Sequence, residues 1–249
     1  MESSDLYKFL SFEKFVDMIQ SQSLYFVNPS LWEDPRELWG VECFIAKTPA
    51  GETKNFLICA RAKHFAQSWT EIDESDSMWR IYAKKTSDVR ISISKQNLEK
   101  ISNVAYRKII YRRDIKKYVE KLKNNTEGLE KAFCVKTTFF EHEKEVRLIY
   151  QEPQDIDPTA AILRSLPDLI KQRTIHANRD LARRQIFDTA GFGQNQPRSK
   201  KISFAHVENF IKSVMASPFA KDWEVEMLKT YCQERGLNFL GKSKHYTMD

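Results

Sequence analysis

Alternating and helically spaced apolar positions succeed one another along this chain without a regular repeat. Leu6-Tyr7-Lys8-Phe9-Leu10 and Leu24-Tyr25-Phe26-Val27 read as strands, the second stopped by Asn28-Pro29. Between them Phe12, Phe15, Val16 and Ile19 recur at helical spacing behind Ser11, a suitable N-cap. Ser30 to Glu37 is rich in turn residues and carries Trp32, the composition of a rigid loop beside a site or of a packed surface turn. Residues 52–63 read as a helix and residues 64–70 as a strand containing Ser68 and Trp69. After the acidic turn Glu71 to Asp76, Ser77 is placed to cap a short helix with Met78, Trp79 and Tyr82 close together. Val89, Ile91 and Ile93 alternate with polar residues as one strand, and Val104 to Tyr111 forms another.

Glu141 to Tyr150 passes from carboxylates into a β-branched and aromatic run. Strand alternation puts Val146, Leu148 and Tyr150 on a core face, with Glu143, Glu145, Arg147 and Ile149 on the other. The stretch 151–201 reads as a variable insertion, with a helix from Pro158 to Lys171 and an exposed, mobile loop at about 188–201. Beyond it come Ile202 to Phe204, a helix near Val207 to Lys212 and a strand at Ser213 to Ala216. A helix over Ala220 to Arg235, ended by Gly236, and Asn238 to Leu240 complete the order. Strands and helices mix without βαβ alternation. The expectation is an α+β fold, a single elaborated domain over 1–249 with a mixed central sheet and flanking helices.

Composition narrows the function classes. The net charge of +6 is unevenly spread: residues 80–125 hold fourteen Lys/Arg against four Asp/Glu, whereas residues 1–79 hold seven against thirteen. Within the basic block Arg107, Lys108, Arg112, Arg113, Lys116 and Lys117 interleave with Tyr106, Tyr111 and Tyr118. Cations for phosphates and rings for bases suit a nucleic acid or another acidic partner along 107–123, although Lys/Arg on one side of an exposed helix more often form a solvated face. The four cysteines have no paired spacing and the N-terminal residues lack a signal-peptide profile, so a reduced cytoplasmic location is expected. No apolar run reaches the roughly 18 residues of a membrane span. No phosphate-loop or dinucleotide glycine signature occurs, and no Cys/His spacing points to a structural zinc.

Glu143, Glu145 and Arg147 are the candidate chemistry. Two carboxylates and a guanidinium on one strand face either pair as a surface salt bridge or hold one carboxylate against a substrate. Leu6-Tyr7-Lys8-Phe9-Leu10, Leu24 to Ser30 before Asp34-Pro35, Met78-Trp79 with Tyr82-Ala83, Glu143 to Leu148, and Lys242-Ser243-Lys244 together resemble the DUF2971 family of bacteria and phages across nearly the whole chain. The sequence departs from that pattern at Glu33, usually asparagine, at Arg36, usually aromatic, and at Val146, commonly Trp or Tyr. The layout also resembles, more distantly, the ADP-ribosyltransferases that modify nucleic acids or proteins as toxins or anti-phage effectors.

That resemblance implies NAD as a substrate and Glu145 as the catalytic carboxylate, with Glu143 competing for the role and Arg147 fixing it. It implies Tyr7 and Lys8 near the nicotinamide ribose or pyrophosphate, and Trp79 and Tyr82 as ring partners of the nicotinamide. Asn28 and Ser68 complete the cofactor-binding set. Two other classes stay open. A metal-dependent nuclease would gather Mg²⁺ on Asp34, Glu143 and Glu145. A non-catalytic module would bind nucleic acid or protein through the basic segment, its carboxylates paired with Arg147.

Overall fold

The computed structural model describes residues 5–32, 34, 37, 46–47, 53–54, 64–122, 131, 133–151 and 198–246. Its strands are Asp5–Leu10 (β1), Ser23–Val27 (β2), Ala46–Lys47 (β3), Thr53–Lys54 (β4), His64–Thr70 (β5), Val89–Ser94 (β6), Val104–Lys108 (β7), Ile110–Arg112 (β8), Val135–Thr137 (β9), Glu145–Gln151 (β10), Ser199–Ser203 (β11), Ile211–Ala216 (β12) and Phe239–Lys242 (β13). Its helices are Phe12–Ser21 (α1), Asp76–Tyr82 (α2), Lys95–Glu99 (α3), Ile115–Leu122 (α4), Val207–Phe210 (α5) and Asp222–Gln233 (α6). The class is α+β, as expected.

The large sheet runs β11-β2-β5-β1-β6-β12-β13, and β10 pairs with both β5 and β7. Its pairs are antiparallel except β12 with β13. Pairing along β5 is unequal. All seven residues of β10 pair with it, from Glu145↔Thr70 to Gln151↔His64, whereas β1 meets it only at Tyr7↔Thr70 and β2 only at Val27↔Ala66. Side chains fill the two openings: Lys8 Nζ donates to the Ser68 carbonyl at 2.6 Å and Gln67 Nε2 to the Tyr25 carbonyl at 3.0 Å.

The main core joins Leu6 and Leu10 of β1, Phe15 and Ile19 of α1, Leu24 and Phe26 of β2, and Val146, Leu148 and Tyr150 of β10 to Leu228 and Cys232 of α6. Each such apolar side chain contributes about 1.5–3 kcal/mol on burial. The core face of β10 is the one that alternation assigns. Its opposite face is covered too, because Ile149 packs with Ile109, Phe133 and Cys134. Consequently Glu145 and Arg147 lie inside the protein, on a strand with neighbours on both edges, and not on a salt-bridged surface edge.

Several boundaries differ from expectation. Ser75, not Ser77, caps α2 by accepting from the Met78 N–H at 3.2 Å, so that helix starts earlier. Val104 to Tyr111 is two strands, broken where the Ile109 N–H turns to the Glu145 carbonyl. Thr53–Lys54 pairs with Ala46–Lys47 as a strand where a helix was expected. Ser199–Lys201 belongs to β11, whose pairing with β2 overrides the loop-like composition preceding it. The Val207 helix stops at Phe210, and Ile211 already belongs to β12. The rest of the 52–63 helix, the Pro158 to Lys171 helix and the 188–197 loop lie outside the described residues. Among the described residues no helix is long and apolar enough to cross a membrane.

Candidate active site

The opening between β1 and β5 leads into a pocket floored by β10. Tyr7, Lys8 and Phe9 of β1, Ser68, Trp69 and Thr70 of β5, Met78 and Tyr82 of α2, and Lys136, Glu143 and Glu145 line it. Its cavity volume is about 140 Å³, smaller than the roughly 300–1,000 Å³ of drug-sized-ligand sites.

The two carboxylates reach it by different routes. Glu145 opens β10, whereas Glu143 ends a short 3-10 helix, Thr138–Glu143, so the pair does not share a strand face as alternation predicts. Lys144 between them adopts the left-handed conformation at φ 39°, costing a non-glycine residue roughly 1–2 kcal/mol. That reversal swings Glu143 beside Glu145. Thr70 secures it by donating through its hydroxyl to the Glu143 carbonyl at 2.6 Å.

Glu145 is held on every side. Its Oε1 accepts from the Ser68 hydroxyl at 2.6 Å and from Arg147 Nη2 and Nε at 2.7 and 3.1 Å; its Oε2 accepts from Lys136 Nζ at 3.0 Å. The Tyr111 hydroxyl accepts from its backbone N–H at 2.7 Å. Burial works to raise this carboxyl, but Arg147, Lys136 and the Ser68 bond outweigh it and hold Glu145 at about 2. It is a fixed anion at neutral pH.

Arg147 is fully buried. It also donates to Glu37 Oε2 at 2.8 Å and the Phe133 carbonyl at 2.5 Å, with its guanidinium 4.1 Å from the Trp32 ring. Burial opposes its charge, and Glu145 and Glu37 more than restore it, raising its pKa. Burial pushes Glu37 up, against the pull of Arg147 and Lys136.

Across the pocket, the Tyr82 hydroxyl donates to Glu143 Oε1 at 2.6 Å. Burial and that bond raise the phenol's pKa, and burial pushes the Tyr111 phenol up to about 12. Half-buried Lys8 is pulled down to about 8 by burial and by Lys14, against Glu145. The pocket thus offers an anionic floor, an ammonium of reduced basicity and the rings of Tyr7 and Tyr82.

Of the expected site residues, Tyr7, Lys8, Ser68, Tyr82, Glu143 and Glu145 come together here, with Arg147 directly behind. Two do not. Trp79 cannot stack on a pocket ligand: it is completely buried, packed edge to face on Phe9 at 4.8 Å, with its indole N–H on Glu74. Asn28 is buried at the end of β2, its N–H on the Arg198 carbonyl, and does not line the pocket. Lys136 and Glu37 were not anticipated. Lys136 had one local signal, a lone lysine within the otherwise uncharged run Phe133 to Phe140.

The candidates on the basic segment are all exposed. Lys108 pairs with Glu71 at 3.2 Å, and Arg112 lies 5.0 Å from the Tyr118 ring. Arg107 Nη1 and Arg112 Nη1 donate to neighbouring carbonyls, Arg113 follows β8, and Lys116 and Lys117 stand on α4. Lys136 Nζ also occupies the position between the Glu143 and Glu145 carboxylates where a shared divalent cation would sit. Among the described residues no cluster of three or more His, Cys, Asp or Glu forms a metal site.

The fold and site define an α+β protein whose pocket is built on a buried cluster of carboxylates, an ammonium and a guanidinium. Residues 78–148 match the model of the family described as "Protein of unknown function (DUF2971)". That span runs from Met78 through Leu148 and includes Tyr82, Lys136, Glu143, Glu145 and Arg147, while Tyr7, Lys8 and Ser68 precede it. No curated protein matches the chain.

Proposed function

We propose that the pocket cleaves the bond between ribose and nicotinamide in NAD and transfers ADP-ribose to a nucleic acid or protein, as a toxin or anti-phage effector does. The observation carrying this reading is the ionised Glu145 carboxylate, immobilised in the pocket that Tyr7 and Tyr82 also line. As the ribose–nitrogen bond breaks, its electron pair leaves on nicotinamide and positive charge develops on the sugar. A carboxylate already fixed and desolvated stabilises that charge more than it stabilises the ground state. The acceptor's nucleophile forms the new bond and gives up a proton, and Glu143 is the neighbouring carboxylate available to take it. Tyr7 and Tyr82 supply ring faces for the planar leaving group, and the exposed cations of 107–117 favour a polyanionic acceptor.

A second reading, a non-catalytic binding module, draws on the pairing of Glu145 with Arg147 and Lys136. One experiment separates the two: incubation with NAD and candidate acceptors, followed for nicotinamide release and labelled acceptor. Glu145→Gln should lower turnover by at least about a hundredfold, the scale of losing a transition-state electrostatic partner. No NAD turnover by the unmodified protein, or a Glu145→Gln protein of unchanged activity, refutes the enzyme.

A further inference from the structure

We propose that Lys136 is the positioning residue of this site, its one ammonium setting Glu143 against Glu145 and presenting Oε2 of Glu145 to the pocket. The catalytic consequence rests on the NAD-cleaving reading above; the geometric one does not.

Lys136 comes from β9, outside the sheet that carries Glu145, and its side chain is only 9% exposed. Its Nζ donates to Glu143 Oε2 at 2.7 Å and to Glu145 Oε2 at 3.0 Å, lies 3.7 Å from Glu37 Oε1, and stands 4.4 Å from the Phe140 ring centroid. Arg147 cannot replace it, because the guanidinium bonds Glu145 and Glu37 but not Glu143. Oε1 of Glu145 is already committed to Ser68 and to two N–H groups of Arg147. Among the described residues Oε2 meets Lys136 alone, so it keeps the lone pair through which a substrate hydroxyl can be held.

On Glu143, Tyr82 takes one oxygen and Lys136 the other. The groups facing the ammonium are therefore Glu37, Glu143 and Glu145, with Arg147 behind, Lys8 and Tyr82 across the pocket, and Tyr111 at the Glu145 backbone. Arg147 bonds Glu145 but not Glu143, so without Lys136 the second carboxylate meets the first with no cation of its own, an arrangement that favours uptake of a proton. Lys136 is what lets one carboxylate steady the sugar while its neighbour accepts a proton.

The test compares unmodified protein with K136M, K136R and the double variant E143Q/K136M. Glutamate side-chain carboxyl ¹³C signals are followed between about pH 3 and pH 8, and nicotinamide release is measured over the same range. In K136M one carboxyl should titrate at least about one unit higher than any carboxyl of the pair does in the unmodified protein. Nicotinamide release should fall about tenfold or more at the acidic end, with the acidic limb moved upward. K136R should retain the unmodified titration, and the double variant should abolish the raised step. Unchanged carboxyl signals in K136M overturn the assignment and leave the catalytic reading standing wherever NAD is turned over. An unmodified protein that releases no nicotinamide overturns that reading instead, and the carboxyl signals still decide the role of Lys136. A K136M chain that folds only together with Glu143→Gln supports the charge role. Failure of both variants to fold overturns it in favour of packing.

Discussion

Replacing Arg147 with methionine is the most direct test of the buried cluster. The side chain is 2% exposed and donates to Glu145, Glu37 and the Phe133 carbonyl. Removing one partner of a buried ion pair costs about 3–5 kcal/mol, because the remaining charge stays buried. The Glu145 carboxyl gives a second route to the magnitude. It is lowered from an ordinary 4.5 to about 2, which corresponds to about 3 kcal/mol of stability at neutral pH. A depressed carboxyl contributes fully above its unfolded value and loses that contribution as pH falls through its folded value. Without the guanidinium the depression of Glu145 shrinks to what Lys136 and Ser68 supply, so acid costs the variant less than it costs the unmodified protein.

Urea denaturation at pH 7 should therefore show Arg147→Met destabilised by about 3–5 kcal/mol, nearer the lower figure because Lys136 still contacts Glu145. A melting temperature lower by roughly 6–20 °C should accompany it. The gap should hold from pH 7 to about pH 5 and narrow as pH falls from there towards about 2. A gap below about 1 kcal/mol, or one independent of pH, would refute the account of Glu145 as an anion held by Arg147.

Lys8, brought down to about 8, should react with an amine-acylating reagent with a half-maximal rate near that pH, ahead of the chain's exposed lysines. Peptide mass spectrometry after timed labelling reads this directly, and Lys8 reactivity matching theirs would count against the lowered basicity. The exposed cations of the basic segment should make nucleic-acid affinity salt-dependent. Lys116→Glu with Lys117→Glu should reduce the slope of log K against log salt by about one per phosphate contact removed, measured on single-stranded RNA or DNA by fluorescence titration.

The inner half of β10 was legible because alternation is strong there: Val146, Leu148 and Tyr150 do enter the core. Tyr7, Lys8 and Tyr82 were reachable from local pattern and resemblance, and they do line one pocket. Pairing Glu143 with Glu145 by strand alternation, however, mistakes the means. A left-handed Lys144 turns the chain, and nothing in a Glu-Lys-Glu triplet announces a positive φ at lysine. Trp79 misleads for a similar reason, since helical spacing places it near Met78 and Tyr82 without saying that its ring meets Phe9. Glu37 and Lys136 are joined to the cluster only by tertiary folding, across more than a hundred residues for Glu37 and Arg147. Separation of that kind leaves no periodic trace.

The single-pair contact between β1 and β5 has a mechanical meaning. A backbone seam bridged by a lysine ammonium leaves the sheet open beside the pocket with no ladder unzipped. The cavity is thus created by leaving hydrogen bonds out. The same amine is both wedge and wall, so trimming Lys8 leaves the Ser68 carbonyl without its donor and reshapes the entrance at once.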